Sequence, residues 1–326
     1  MTVSHGITQG WRLASDDKPL MHRLQDDWRH NGGKKMNAYE KVTQIVLDTI
    51  DKEGLLPWQR PWVGDFAAWS HATGRDYSWL NCLLCGKSGE FGTFKQWKDA
   101  GGTIKKGAKA RTICFYTILE KTVTGTDVKT GESVTWETKI PMLKYFSVFH
   151  SDDVEGDVKL KRHSEEGVEF QHDRREDADH CISAYVEREQ ILLQQDPSVG
   201  RAYFCSGQNM VQVPPLEKFR EQPEYYSTMF HELVHSTQRA MHRDTDHRFG
   251  SKKYAAEELV AEMGAAFLCY HFGMSPVTID NSAAYLKNWW DHIANDNRLI
   301  ITAATAAEKA VKFIISGELP GEKASA

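Results

Sequence analysis

Two histidines four positions apart, with a glutamate directly after the first, stand in the stretch MFHELVHST, residues 229–237. On an α-helix of 3.6 residues per turn, His231 and His235 project from one face, so two imidazole nitrogens can share one ion. Glu232 sits beside them, where its carboxylate can take a proton from a metal-bound water. A catalytic zinc usually takes three protein ligands and keeps its fourth position for water, so the pattern requires a third ligand elsewhere in the chain. Two histidines on an ordinary surface helix would spell the same letters, and the second element decides between the readings.

Downstream, YAAEELVAEMGAAFLCYHFG, residues 254–273, reads as a second amphipathic helix carrying Glu257, Glu258 and Glu262. Glu258 and Glu262 share a face, whereas Glu257 points about a hundred degrees away. The economical assignment makes Glu258 the third ligand, 23 residues past the second histidine. Glu262, one turn on, would then accept the free ring N–H of a histidine ligand and fix its tautomer. This is the glutamate-zincin arrangement of a zinc-dependent metallopeptidase, with Glu232 as catalytic base and Zn2+, or another divalent cation such as Mn2+, as cofactor. Tyr254, His242 and Tyr285 are candidate transition-state partners, and the residues alone do not choose among them. Upstream, RAYFCSGQNMVQVPP, residues 201–215, alternates apolar and polar positions up to a double proline, as an edge strand able to pair with an extended peptide would.

The chain of 326 residues is long enough for two domains, each with its own core. No apolar run approaches the roughly twenty residues of a membrane-spanning helix. The net charge of −5 is unevenly shared: residues 36–150 carry 15 Lys/Arg against 12 Asp/Glu, and residues 151–326 carry 19 against 29. Such asymmetry suggests halves with different partners. Between them, residues 151–180 are polar and poor in large apolar side chains, a linker or charged excursion, with the second domain expected over 181–326. Residues 1–35 lack the apolar core of a secretory signal and read as a leader or tag. The six cysteines, 82, 85, 114, 181, 205 and 269, are scattered as free thiols would be, which suits a reducing, cytoplasmic setting. Cys82 and Cys85 form one CxxC with no second pair at zinc spacing, and are expected to be structural.

The first half opens on an amphipathic helix from Met36 and continues into a segment dense in aromatics: Trp58, Trp62, Trp69, Tyr77 and Trp79. Next, Phe94 and Trp97 interleave with Lys95, Lys98, Lys105, Lys106, Lys109 and Arg111, before an alternating strand and a second strand in PMLKYFSVFH. The order predicts an α+β domain. Aromatic faces with interleaved cations fit a groove for single-stranded nucleic acid. Taken one at a time, the same rings suit a core and the lysines a solvated face, and a charge of only +3 over residues 36–150 argues for a local patch.

Longer stretches carry a resemblance. VPPLEKF, YYSTMFHELVHST, FGSKKYAAEELVAEMGAAFL, NSAAYLKNWW and AATAAEKAVKFI resemble the zincin-like metallopeptidase domain of the ArdC antirestriction family. PWQRPW, TGRDYSWLN, FGTFKQWKDAGGTIKKGAKA and YFSVFH resemble that family's N-terminal domain, which binds single-stranded DNA; together the matches run in order from about residue 36 to 316. The resemblance implies two α+β domains and DNA contact through Lys95, Gln96 and Trp97 and through Lys105, Lys106 and Lys109. It also implies a plasmid-type antirestriction function that protects incoming DNA from host restriction. Gln238 departs from the glycine that family members commonly carry after HST, which leaves room for the helix to run on there. Two rival functions stay open: a non-enzymatic single-strand binder with a structural metal, and a DNA-activated protease acting on DNA-bound proteins.

Overall fold

The amino-terminal helix α1, Ala38–Glu53, buries Val42, Val46, Leu47 and Ile50 along one stripe, as the sequence periodicity predicts. A computed structural model describes residues 36–53, 56–59, 67–126, 133–162, 175–243, 251–274 and 283–319. The expected leader, Trp62 and the side chain of Tyr285 lie outside the described residues. A single helical turn at Pro57–Gln59 then buries Trp58.

Strand β1 (Ala68–Ser70) leads to α2 (Trp79–Cys85), which Ser78 caps at its start and Gly86, at φ +63°, closes in the left-handed region that glycine tolerates. After β2 (Gly89–Gly92) comes α3 (Phe94–Asp99), opened by a capping box in which the Thr93 side chain accepts from Gln96 N and the Gln96 side chain accepts from Thr93 N. Two long strands follow, β4 (Arg111–Thr126) and β5 (Ser133–His150), paired antiparallel without a break from Arg111↔Val148 to Thr126↔Ser133. The sheet order is β1-β2-β5-β4, with β1 parallel to β2 and the other pairs antiparallel.

The stretch expected as a linker is in part sewn to this half. β6 (Val154–Glu155) pairs with β3 (Thr103–Ile104), and the Lys161 and Arg162 amides donate to the buried Glu90 carboxylate at 2.8 and 3.3 Å. A polar composition therefore conceals backbone hydrogen bonding that ties the segment down. At its other end, α4 spans Glu176–Arg188, so the boundary drawn at 181 falls inside a helix.

The second half has a small sheet ordered β7-β9-β8 (Leu192–Gln194, Met210–Gln212, Tyr203–Cys205) and four helices after it. These are α5 (Gln222–Ser236), α6 (Lys252–His271), α7 (Ala283–Asn295) and α8 (Leu299–Ser316). α6 has buried residues on every side, as a helix enclosed by others must. It packs on α5 and α8. Close approach to α5 depends on Gly264, where a Cβ would come within 2.6 Å of Val234 Cγ2.

The two halves are packed into one unit, Ala38–Ala326, with a continuous apolar core. Trp79 stacks on Phe267 of α6 with ring centroids 5.4 Å apart, the Tyr270 hydroxyl donates to Trp58 O at 3.0 Å, and the Thr43 hydroxyl donates to Asn297 O at 3.0 Å. Three of the aromatics that could have formed a stacking platform thus serve otherwise: Trp58 and Trp69 are buried, and Trp79 joins the halves. The overall class is α+β.

Candidate metal centre and nucleic-acid surface

His231 and His235 lie one turn apart on α5, and α6 brings Glu258 up against both. His231 Nε2 and His235 Nε2 are 3.1 Å apart; Glu258 Oε2 is 3.5 Å from the first and Oε1 is 3.6 Å from the second. Ligands about 2.0–2.1 Å from a tetrahedral ion are separated by about 3.3 Å, so two imidazole nitrogens and a carboxylate this close together suit one small divalent cation. Among the described residues, this is the one group of His, Cys, Asp and Glu side chains with such convergence.

The protonation pattern fits the same conclusion. His235 Nδ1 faces Glu257 Oε1 at 3.2 Å and so donates to it, which leaves the Nε2 lone pair aimed at His231 and Glu258. A lone pair, a second imidazole and a carboxylate facing one point repel unless a proton or a metal lies among them. Burial alone would lower the His231 pKa, but the Glu258 hydrogen bond and the charges of Glu232, Glu258 and Glu262 prevail and raise it to about 9. Burial likewise works against the charged Glu258, yet its bond to His231, the His231 charge and the Tyr254 hydroxyl keep it below the usual carboxylate range. Burial, then the Glu258 charge and hydrogen bond, push the Tyr254 phenol up to about 12, so it stays a neutral donor.

The partner expected for a histidine ring was Glu262; the structure puts Glu257 there instead. Glu257 is buried and bidentate to Arg243, with Nε to Oε2 at 2.9 Å and Nη2 to Oε1 at 2.8 Å. Arg243 also donates to Thr237 Oγ1 at 2.7 Å and Val234 O at 2.9 Å, which ties the end of α5 to α6. Burial opposes ionisation of Glu257, but the His235 and Arg243 hydrogen bonds and the Arg243 charge hold its pKa at about 2. Glu262 instead accepts from two indoles, Trp58 Nε1 at 3.2 Å and Trp289 Nε1 at 3.3 Å. Gln238 does not extend the helix: α5 stops at Ser236, Thr237 caps it in right-handed geometry, and the Gln238 amide donates to Glu257 at 2.9 Å.

A cleft of about 360 Å³ opens over the cluster, lined by Glu232, Tyr254, Tyr203 and Phe204 from β8, and Ser206 just after it. The segment 201–215 is a short hairpin in which β8 is the edge strand and β9, the part running into the prolines, is central. His242 sits in the turn after α5 at φ +49° and is not among the cleft residues.

The predicted DNA residues separate into two groups. Lys95, Lys105, Lys106 and Lys109 are exposed, although Lys105 Nζ is engaged with Asp152 O at 2.7 Å. Trp97 is fully buried, stacks on His71 at 4.1 Å and donates through Nε1 to Phe149 O at 2.9 Å, so no base can stack on it. Gln96 is occupied by the capping box, its Oε1 accepting from Thr93 N at 2.8 Å. Phe94, one residue before Lys95, carries the exposed ring at 59%. The six cysteines are all free, and burial pushes the Cys82 thiol up to about 12, which suits structure rather than redox work.

Comparisons with known proteins fall on these same elements. Residues 36–149 match the family described as the N-terminal domain of anti-restriction factor ArdC, and residues 182–306 match the zincin-like metallopeptidase family. The crystal structure of antirestriction ArdC protein from the R388 plasmid, metal-free, is similar at TM-score 0.65 and 29% identity over 86% of this chain and 97% of that one. Its Mn(II)-bound form gives TM-score 0.64 and 27% identity over the same shares. A DNA primase TraC of Escherichia coli is 27% identical over 87% of this chain, which spans only 27% of that protein. Protein y4eC of Sinorhizobium fredii is 25% identical over 84% of this chain and 90% of its own length. With both halves matched in order and the fold shared along most of its length, the chain belongs to the ArdC family, in which an ArdC N-terminal domain precedes a zincin-like metallopeptidase domain.

Proposed function

We propose that the chain is an antirestriction protein that engages single-stranded DNA through its amino-terminal half and holds a divalent cation between His231, His235 and Glu258. The observation that carries this reading is the convergence of three side chains, His231, His235 and Glu258, whose ligand atoms lie within 4.8 Å of one another at the floor of an open cleft. A structural zinc site is usually closed by four protein ligands, whereas three ligands beside a carboxylate leave a position for water or substrate. The family match and the Mn(II)-bound relative support a divalent ion, with zinc as one candidate.

When bound, such an ion supplies Lewis-acid polarisation and a more acidic water. The residues of the chain divide the remaining work. Glu232 accepts a proton in the cleft. Glu257 holds His235 in the Nδ1-protonated tautomer and is itself held by Arg243 and Gln238. Tyr254, a neutral donor on the cleft wall, is placed to hydrogen-bond an oxygen on which negative charge develops. β8 offers the edge along which an extended peptide would pair. The plasmid origin of the R388 relative supports an activity in a bacterial recipient of transferred DNA, within the cytoplasm. No described helix is long and apolar enough to cross a membrane. The primase activity named for TraC is not carried over, since the chain spans 27% and 22% of two such proteins.

The test starts from chelator-treated protein titrated with Zn2+ or Mn2+. Wild type and Glu232→Gln should each take up one ion, and Glu258→Gln should lose affinity; no uptake by wild type rejects the metal centre. Transfer of unmodified DNA into a restricting host then measures protection. Protection by Glu232→Gln equal to wild type assigns the metal a structural role. Casein or histone cleavage that appears only with single strands would favour a DNA-activated protease.

A further inference from the structure

We infer that the outward face of the β4–β5 ribbon, with Phe115 and Phe146 as stacking rings and Arg111 and Lys144 as phosphate contacts, is the surface on which single-stranded DNA lies. This rests on the single-strand reading above and says where on the amino-terminal half the strand runs.

The register decides the two faces. Phe115 pairs with Lys144 and Ile113 with Phe146, so Arg111, Phe115, Leu119, Ile140, Lys144 and Phe146 share one face. At the base of the ribbon this face also carries Ile113 and Val148, which are buried; on the opposite face Leu143 and Tyr145 lean on the core, the exposed Tyr116 hydroxyl meets that of Tyr39 on α1 at 2.8 Å, and Ile118 is 63% exposed. On the outward face, Phe115 and Phe146 are each 43% exposed, Leu119 46% and Ile140 41%. Such an exposed apolar patch on a β-ribbon invites a partner.

Charge selects the partner. The Phe115 face carries Arg111, Lys121 and Lys144, while the acidic Glu120 and Glu137 both fall on the opposite face, where Glu120 pairs with Lys139 at 3.5 Å. Among the described residues of the two strands, Phe115, Phe146 and three cations therefore share a face that carries no carboxylate. This is the combination that holds single strands, bases on rings and phosphates on cations. The rings are braced: Phe115 lies 6.2 Å from Phe146 and 6.1 Å from Tyr77, which meets it edge-on. The basic turn bearing Lys105, Lys106 and Lys109 runs directly into Arg111, so a strand crossing the ribbon would meet those lysines next.

The experiment measures binding of the full chain to a fluorescein-labelled oligo(dT) by anisotropy across a salt series. Phe115→Ala and Phe146→Ala should each weaken binding by about five- to hundredfold. Lys144→Ala should also flatten the slope of log affinity against log salt by about 0.7. Phe115→Leu and Phe146→Leu keep apolar volume while removing the ring, and should show the same loss with unchanged melting if stacking is the cause. Wild-type affinity in the Leu variants, or loss confined to Phe94→Ala, overturns the surface while leaving single-strand binding intact. No binding by wild type overturns both. A wild-type dimer in light scattering that Phe115→Ala/Phe146→Ala dissociates would make the face a self-interface and also overturn the inference.

Discussion

The Trp58 indole nitrogen lies 3.2 Å from Glu262 Oε2, joining the amino-terminal half to the helix that presents Glu258 one turn earlier. The contact is buried on the tryptophan side and is reinforced by the Tyr270 hydroxyl on Trp58 O. Trp58→Phe keeps most of the packing and removes the donor, with an expected cost of about 1–2 kcal/mol. Urea melts followed by far-UV circular dichroism check the size of the loss. They should also show a single transition, because the halves share one core; two separated transitions in wild type would contradict that.

Glu257→Gln should lower affinity for Zn2+ or Mn2+ by about 10- to 100-fold while leaving all three ligand side chains in place. The Arg243 guanidinium then loses its charged partner in a site where both side chains are nearly buried, 12% and 9% exposed. Calorimetric titration of chelator-treated protein gives the affinity. Equal affinity in the variant would mean that Glu257 does not orient His235.

Gly264→Ala should press α5 away from α6, since the new methyl meets Val234 Cγ2 at 2.6 Å. Overpacking of this kind costs about 1–3 kcal/mol. Adding Val234→Ala should restore much of the stability and the metal affinity together, a coupling measured by a double-mutant cycle in thermal melts.

Glu90 predicts a pH dependence. It is fully buried and, against the cost of burial, hydrogen bonds from His71, Trp69 and the Lys161 and Arg162 amides hold its pKa below the usual carboxylate value. A carboxyl with a lower pKa folded than unfolded contributes stability above the unfolded value, about 4.3, and loses it as pH falls through the folded value. Glu90→Gln should therefore cost about 2 kcal/mol at neutral pH, with the gap to wild type closing in acid. Denaturant midpoints for both proteins at pH 7, 5 and 3 make the comparison; a gap that widens in acid would reverse the assignment.

The helices that bring His231, His235 and Glu258 together were legible because helical spacing is local: His231, Glu232 and His235 need only one turn, and Glu258 only one face of the next helix. Glu257 was missed by the same reasoning. A helical wheel asks which residues face the ion, whereas an imidazole has a second nitrogen on its far edge, and the neighbouring glutamate reaches that edge. In the amino-terminal half, Thr-Phe-Lys-Gln at 93–96 is a capping-box spelling that assigns Gln96 to the helix start. It could have warned that Trp97 turns inward and Phe94 outward.

The amino-acid sequence by itself determined the chemistry available: a histidine pair with its glutamate, a second helix of carboxylates, two α+β halves and no membrane-spanning run. Tertiary structure alone decided which carboxylate orients a histidine, which aromatic rings are buried and which side chains of the long ribbon are left to solvent. Periodicity records what lies along one element, while those three outcomes depend on what packs across it, and side-chain type does not encode distance to a neighbour 20 or more residues away.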